Sequence, residues 1–571
     1  MKHHLCPILW LVFGLLFCPF TAQSQYFWNT DFEYGTSNAQ PRKWVIEGEG
    51  RAYAAKVDKQ VAKHGKSSLK MTVTSAMVYI YLPVSGTLLA GKQLSIEGYA
   101  KTELGDSLTL GAMLLHTGSG QRVMIPPQPL QSLVWQPFAY QAKLPTTISS
   151  GKVLLTLLVG GQGTAWLDNV TIRINGKVYG KDAPGFRAST PQEINQLNQQ
   201  LKPLKSIIPT TSFQDLAPLK AMLSSAKIVA LGENSHGSAS IFTLKLRLVQ
   251  YLVQALGFNT FVLECPAVEA EKVNAYVVYN QGNLSQVMPY LIYKSWQTQE
   301  MAAIVQWLHD YNQQHQKKVA FWGIDMQYGQ GSLKYLQPFI SKHPQIKDAF
   351  AVINSLYPKK KKTPNDWKTL KTVTQQITVY LNTPKHFTQL ISSEYTFLKY
   401  SWRIFSQSIQ LQNTPQNNLQ RDAFIAENIQ WLRQNYPGSK LMVSADNDHI
   451  RKSAGKAGYL LHQKYGKQYK AIGFTFQSGT YQAYGSKPFY QVHPSYVGTY
   501  EYLFSKASTR NFYLDLNQVQ HIPLLDKPAG FRSIGSRPQE TTQFAEITLK
   551  NNFDILFYLE QSRHTTYLQK K

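Results

Sequence analysis

The sequence predicts two unlike domains: an all-β sandwich, then an α/β domain in which helices flank a mainly parallel sheet. Three observations carry this expectation. From Tyr26 to about Ile174, apolar runs of strand length are separated by Gly, Pro, Ser and Thr clusters. After Pro191 the pattern changes to strands alternating with amphipathic helices, as a parallel sheet requires. The length of 571 residues exceeds one ordinary domain.

The N-terminus reads as a leader. Lys2 precedes the apolar run Ile8–Phe20, and Ala22-Gln23-Ser24 supplies small residues for cleavage, so residues 1–24 read as a signal peptide cut after Ser24. Export to the periplasm or the extracellular space is expected. Removal of Cys6 and Cys18 leaves Cys265 as the single cysteine, so no internal disulfide forms. No later segment is apolar enough to span a bilayer. The formal charge of +26 favours anionic partners. The lysines are spread along the chain, however, apart from Lys359–Lys362, which reads as a solvated loop. With no zinc-finger spacing, RNA-binding aromatic motif or basic repeat, no nucleic-acid partner is expected.

Residues 25–175 form the β-domain. Its strands include Val78–Leu82, Leu108–Leu115, Phe138–Leu144 and Val153–Val159. At Asn29-Thr-Asp-Phe-Glu, His64-Gly-Lys-Ser-Ser-Leu and Trp166-Leu-Asp-Asn-Val-Thr-Ile it resembles jelly-roll modules of the carbohydrate-binding, galactose-binding-like type. The resemblance implies a glycan as one possible partner, with a plain docking role as the alternative. Residues 176–194 read as a linker.

The catalytic domain is expected over 195–571. Ile228–Leu231 is a buried strand stopped by Gly232, after which Glu233 and His236 stand in a loop. A helix follows, with Ile241, Leu244, Leu248, Leu252 and Ala255 on one face and Gly257 as its C-terminal cap. Thr260–Glu264 is a second strand ending in an acid. A helix around Met301–Gln314 feeds a third strand, Val319–Asp325. Residues 335–435 read as a helical insertion able to cover a cleft. Lys440–Ala445 is a fourth strand running into Asp446-Asn447-Asp448-His449, and Ala471–Phe476 is a fifth.

Parallel strands converge at their carboxyl ends, the usual active-site edge of such a sheet. That edge would gather Glu233, His236, Glu264, Asp325, Asp446 and His449. Two histidines among carboxylates suit general acid–base work near neutral pH. The amides opening the helix near Ser238 could stabilise developing negative charge, and Lys245 could add a cation. No Gly-x-Ser-x-Gly elbow marks a serine hydrolase. Strand alternation turns Cys265 away from the carboxylate of Glu264. Glu233, His236, Glu264 and His449 are also acceptable metal ligands, so a metal-dependent hydrolase at the same residues stays open.

Gly232-Glu-Asn-Ser-His-Gly, Leu256-Gly-Phe-Asn-Thr-Phe-Val-Leu-Glu264, Trp296 with Thr298 and Glu300, and Trp322-Gly-Ile-Asp325 resemble the erythromycin esterase family. So do Arg421-Asp-Ala-Phe-Ile-Ala-Glu-Asn428, Asn447-x-His449, Ile534-Gly535 and Phe553-Asp554, in order across roughly 195–570. The resemblance implies a carboxylic ester hydrolase that uses a histidine-activated water and no covalent intermediate. Its substrate would be a small-molecule ester, possible members of that class including macrolide lactones, whose cleavage inactivates the antibiotic. By the same resemblance His236 is the general base, Glu233 and Glu264 orient it or the water, and His449 assists at the ester. Lys245 falls where members carry a basic residue. Asp325, Trp296, Glu300, Arg421 and Asn447 are supporting or substrate-binding residues, and no metal or other cofactor is expected. One departure stands out: Asp446 occupies the place of a family histidine. The alternative from another class is an envelope glycan-binding protein with an inactive catalytic domain.

Overall fold

The computed structural model describes residues 28–33, 41, 44–48, 53–103, 106–117, 119–149, 152–179, 189–209, 212–414, 417–493, 495, 498–520, 522–538 and 543–569. The leader read at residues 1–24 lies outside them. The chain divides into two compact units, Met1–Pro184 and Gly185–Lys571.

The first unit is a sandwich organised by two long antiparallel strands, Ser68–Ser85 and Lys152–Ile174. Each serves both sheets. The first part of Lys152–Ile174 pairs with Ser107–His116, while its later part pairs with Gln93–Thr102. The change falls at Gly161 and Gly163, whose φ values of 105° and 141° suit a strand switching sheets at a corner. Val78, Ile80, Leu108, Leu155 and Val159 are among the side chains that fill the core. The expected sequence motifs prove to be internal braces. Glu33 accepts the Lys66 and Ser67 amides (2.8 and 3.0 Å), and Asp168 accepts the His64 amide (2.9 Å). A last strand, Lys177–Tyr179, pairs with Ile172–Ile174 and carries the unit beyond residue 175.

The second unit is built on one mixed sheet. We number its strands β1 Lys202–Pro203, β2 Ile228–Leu231, β3 Thr260–Pro266, β4 Ala320–Asp325, β5 Leu441–Ser444, β6 Tyr469–Tyr481, β7 Phe512–Asp515 and β8 Ile555–Ser562. Their spatial order is β1-β7-β8-β6-β2-β5-β3-β4. Pairings from β8 across to β4 are parallel, whereas β1–β7 and β7–β8 are antiparallel. The central strands are buried on both faces, which explains their continuous apolar runs. Val229, Leu231, Phe261 and Leu263 enter one core, and Ile228, Ala230 and Val262 enter the other.

Helix α1, Ala239–Leu256, packs its Ile241, Leu244 and Leu248 into the first of these cores and ends on Gly257 at φ 67°. Helix α2 spans Gln299–Gln314, capped by the Thr298 side chain on the Met301 amide. The insertion comprises α3 Gly329–Ile340, α4 Pro344–Leu356, α5 Pro364–Leu381, α6 Ser392–Gln412 and α7 Asn417–Asn435. Helices α3 to α6 share a small core of their own. By contrast α7 lays Phe424, Ile425, Ile429 and Leu432 on the sheet, which delivers its opening residues to the strand ends. Among the described residues, no helix is long and apolar enough to cross a membrane.

Candidate active site

Register brings the acids together. Leu231, Ser444 and Leu263 stand level across β2, β5 and β3. Glu264 follows one residue past that line, and Glu233 and Asp446 two residues past it. Asp325 ends β4 opposite Pro266. Four carboxylates from four segments thus share one sheet edge.

The His236 loop is clamped in place. Asn234 O accepts the Ile534 and Gly535 amides (2.7 and 3.1 Å), and the His236 amide donates to Gly535 O at 3.2 Å. Gly232 must be glycine because a Cβ there would lie 2.0 Å from Asn447 Oδ1. Asn447 is committed to the frame: its amide donates to Glu233 O at 2.8 Å and its side chain bridges both backbone groups of Phe474.

Two charge clusters result. In the first, His236 Nδ1 donates to Glu233 Oε1 at 3.1 Å, the tautomer being assigned from this partner. Lys245 Nζ donates to the other Glu233 oxygen and to Ser444 Oγ (2.9 Å). Lys245 and Glu233 are fully buried, whereas the His236 side chain keeps 14% of its surface exposed. The Trp296 ring meets His236 edge-on, 5.0 Å between centroids, and its Nε1 is tied to Glu264 O at 2.8 Å. Burial opposes a charge on His236, but the Glu233 hydrogen bond and the charges of Glu264, Glu233 and Asp446 outweigh it and raise its pKa.

The second cluster is centred on Arg421. Its Nη2 donates to Glu264 Oε1 (2.7 Å) and Asp325 Oδ2 (2.6 Å). His449 Nδ1 contacts Asp422 at 2.8 Å, while its Nε2 lies 2.8 Å from Arg421 Nη1 and 3.3 Å from Glu264. These neighbours ask opposite things of Nε2, since a guanidinium wants an acceptor and a carboxylate wants a donor. The carboxylates prevail: against burial, Glu264 and Asp422 lift the imidazolium to about 10. Glu264 is correspondingly held well below the carboxylate range, because His449 and Arg421 overcome its desolvation. Asp446 behaves differently. Burial pushes its carboxyl up to about 6, with Oδ1 capping the Asp448 amide at 2.7 Å.

The structure thus places Glu233, His236, Lys245, Glu264, Trp296, Asp325, Arg421 and His449 in one connected network. Glu300 is not among these contacts; it accepts the Thr566 amide instead (3.2 and 3.3 Å). Two of the amides at the start of α1 are already bonded, Ala239 N to Arg563 O (2.7 Å) and Ile241 N to Ser238 Oγ (3.3 Å). Cys265 is buried and desolvation raises its thiol far above the usual range, which removes it as a nucleophile. Asp422, Ser444 and Tyr293, whose hydroxyl donates to Asp325 at 3.3 Å, complete the network without having been singled out from the sequence. Asp422 adjoins Arg421 in a quoted motif. Ser444 and Tyr293 carry no sequence signal of their own.

The donor set does not favour a metal. Glu233 is neutralised by Lys245, and Glu264 by Arg421 and His449. Among the described residues, no group of three or more His, Cys, Asp or Glu side chains is arranged to hold an ion.

A family model described as erythromycin esterase matches residues 253–562, more than half of the chain. Erythromycin esterase type II of Escherichia coli is 23% identical over 411 residues, covering 63% of this chain and 95% of that protein. Among solved structures, a Bacillus cereus protein is 27% identical at a TM-score of 0.60, covering 67% of this chain and all of its own. A succinoglycan biosynthesis protein is 25% identical at the same TM-score and coverage.

Proposed function

The chain belongs to the erythromycin esterase family, and we propose that it hydrolyses a carboxylic ester with a water activated by His236. The observation that carries this reading is the buried series Lys245–Glu233–His236. Glu233 holds Nδ1–H, so the Nε2 lone pair is left for a water, and Nε2 has no hydrogen-bond partner among the described residues. Lys245 is the buried counter-charge to Glu233. The Trp296 edge fixes the plane of the ring.

In the proposed reaction His236 Nε2 takes a proton as the water oxygen bonds to the ester carbonyl carbon. The tetrahedral oxyanion forms beside the cationic groups of the Arg421 cluster. Its collapse breaks the bond to the alcohol oxygen, and the imidazolium returns the proton to the leaving alkoxide. No covalent enzyme intermediate forms. Asp446, the family departure, adds a carboxyl that loses its proton near pH 6 within reach of the His236 charge.

A macrolide lactone is the first substrate to examine, because the Escherichia coli relative bears that activity in its name. Export, from the leader read at residues 1–24, would place the reaction outside the cytoplasm. The test is His236→Ala. General-base loss lowers kcat by about 10²–10⁴-fold on any ester cleaved, while the melting profile is kept. Unchanged turnover by a folded His236→Ala protein overturns the mechanism.

A further inference from the structure

Next to the His236 loop lies a cavity of about 600 Å³ that the hydrolytic chemistry leaves unused. Its walls are continuous with the segments that hold His236. Gly237 O accepts both the Gln482 amide (2.9 Å) and the Thr565 amide (3.0 Å). The approach is so close that a Cβ on Gly237 would lie 1.9 Å from Gln482 O. Past these contacts the 482–488 and 564–567 segments form two walls. The third comes from Lys294, two residues before the Trp296 that touches His236, and it is joined to the first by the Ser295 amide donating to the Tyr484 hydroxyl at 3.0 Å.

The chemistry of the lining is one-sided. Lys294 and Lys487 supply two ammonium groups, His564 adds an imidazole, Tyr484 and Tyr567 add phenols, and among the described residues no carboxylate lines the space. Glu300 is engaged by the Thr566 amide. Lys294 Nζ sits 4.2 Å over the Tyr567 ring, and His564 stacks on Phe489 at 4.4 Å.

We propose that this cavity is a subsite for a carboxylate-bearing arm of the ester substrate, held by Lys294 and Lys487. The proposal rests on His236 being the hydrolytic base. It narrows the substrate class to esters that also carry an anionic group near the scissile bond.

The test compares monoethyl adipate with diethyl adipate, which differ in one negative charge. The full-length protein should favour the monoester in kcat/KM by about tenfold, the scale of one charge-assisted hydrogen bond. The preference should fall towards unity in Lys294→Ala/Lys487→Ala and at high ionic strength, because both ammonium groups are near the surface. A second measurement separates this proposal from the catalytic one: adipate, the diacid, is titrated into His236→Ala with and without the lysine substitutions. About tenfold weaker binding without the lysines supports the subsite even if neither ester is cleaved. An unchanged ester preference together with unchanged adipate binding overturns it.

Discussion

Replacing Lys245 with Met tests whether the first charge cluster is a catalytic device or a chance burial. Lys245 and Glu233 have no exposed side-chain surface, so water cannot take over from either partner. Breaking such a pair from one side leaves an uncompensated buried charge and destabilises by about 3–5 kcal/mol. At roughly 2 cal/mol/K of unfolding entropy per residue, over the unit Gly185–Lys571, the melting temperature should drop by about 4–6 °C. Glu233→Gln should fall by a similar amount, since it strands Lys245. Combining the two changes removes both charges, and the double variant should return to within about 1–2 kcal/mol of the parent. Activity should not return with it, because a glutamine cannot hold the imidazole as a base, and kcat stays down by at least about 10². In Lys245→Met alone, the lost cation leaves Glu233 to act on His236 undiminished. Its pKa rises, and the acidic limb of the pH–rate profile moves to higher pH. Differential scanning calorimetry paired with pH-stat rates on any cleaved ester measures both effects. A double variant that recovers activity along with stability, or single variants that melt like the parent, refutes the reasoning.

Other substitutions probe the second cluster and the chemistry. Asp446 and His236 both have raised folded-state pKa values, so each stabilises the fold at low pH and loses that contribution as pH climbs through its folded value. Asp446→Asn keeps the cap on the Asp448 amide and removes its share. Its gain over the parent, measured by denaturant unfolding, should be absent near pH 3, grow from about pH 4, and level off at about 3 kcal/mol above about pH 6. Arg421→Leu leaves Glu264 and Asp325 without their guanidinium and should destabilise by about 3–5 kcal/mol. The loss should shrink in melts at acidic pH, where Glu264 can protonate. Dialysis against a chelator should leave the hydrolysis rate unchanged; a rate lost to the chelator and restored by a divalent cation would favour the metal-dependent reading instead.

How much of the site could be read from the sequence depends on how local each contact is. Glu233 and His236 announce themselves because a stopped strand and a capped helix place them three residues apart on one loop. Glu264 and Asp325 are legible for a related reason, since parallel strands converge at their carboxyl ends whatever joins them. Strand order is not local, and the pairing of β5 between β2 and β3 sets which acids meet. Residues that act through that order were therefore harder to find. Lys245 sits on the buried face of α1, where the helical period assigns apolar residues, and only the acid of the neighbouring loop makes that position tenable. Arg421 and Asp422 belong to an insertion helix whose apolar stripe says that it packs, but not on which surface. Ser444 is one more small residue at a strand end until Lys245 reaches it from the neighbouring helix.

Two further placements share a cause as well. The start of α1 looked like an anion site because its amides are orphaned in any isolated helix. In the fold, the Arg563 carbonyl and the Ser238 side chain occupy them, and Arg563 lies more than three hundred residues away in the chain. Glu300 opens a helix in a family-like motif, yet its carboxylate closes on Thr566 rather than on the acid edge. Both contacts come from the C-terminal tail, the same segment that walls the cavity beside His236. The tail thus occupies the Ala239 amide and the Glu300 carboxylate, and it walls the cavity beside the His236 loop. In this chain the acids converge along the sheet edge, whereas the surface beside them is shaped by residues 563–567, distant in sequence.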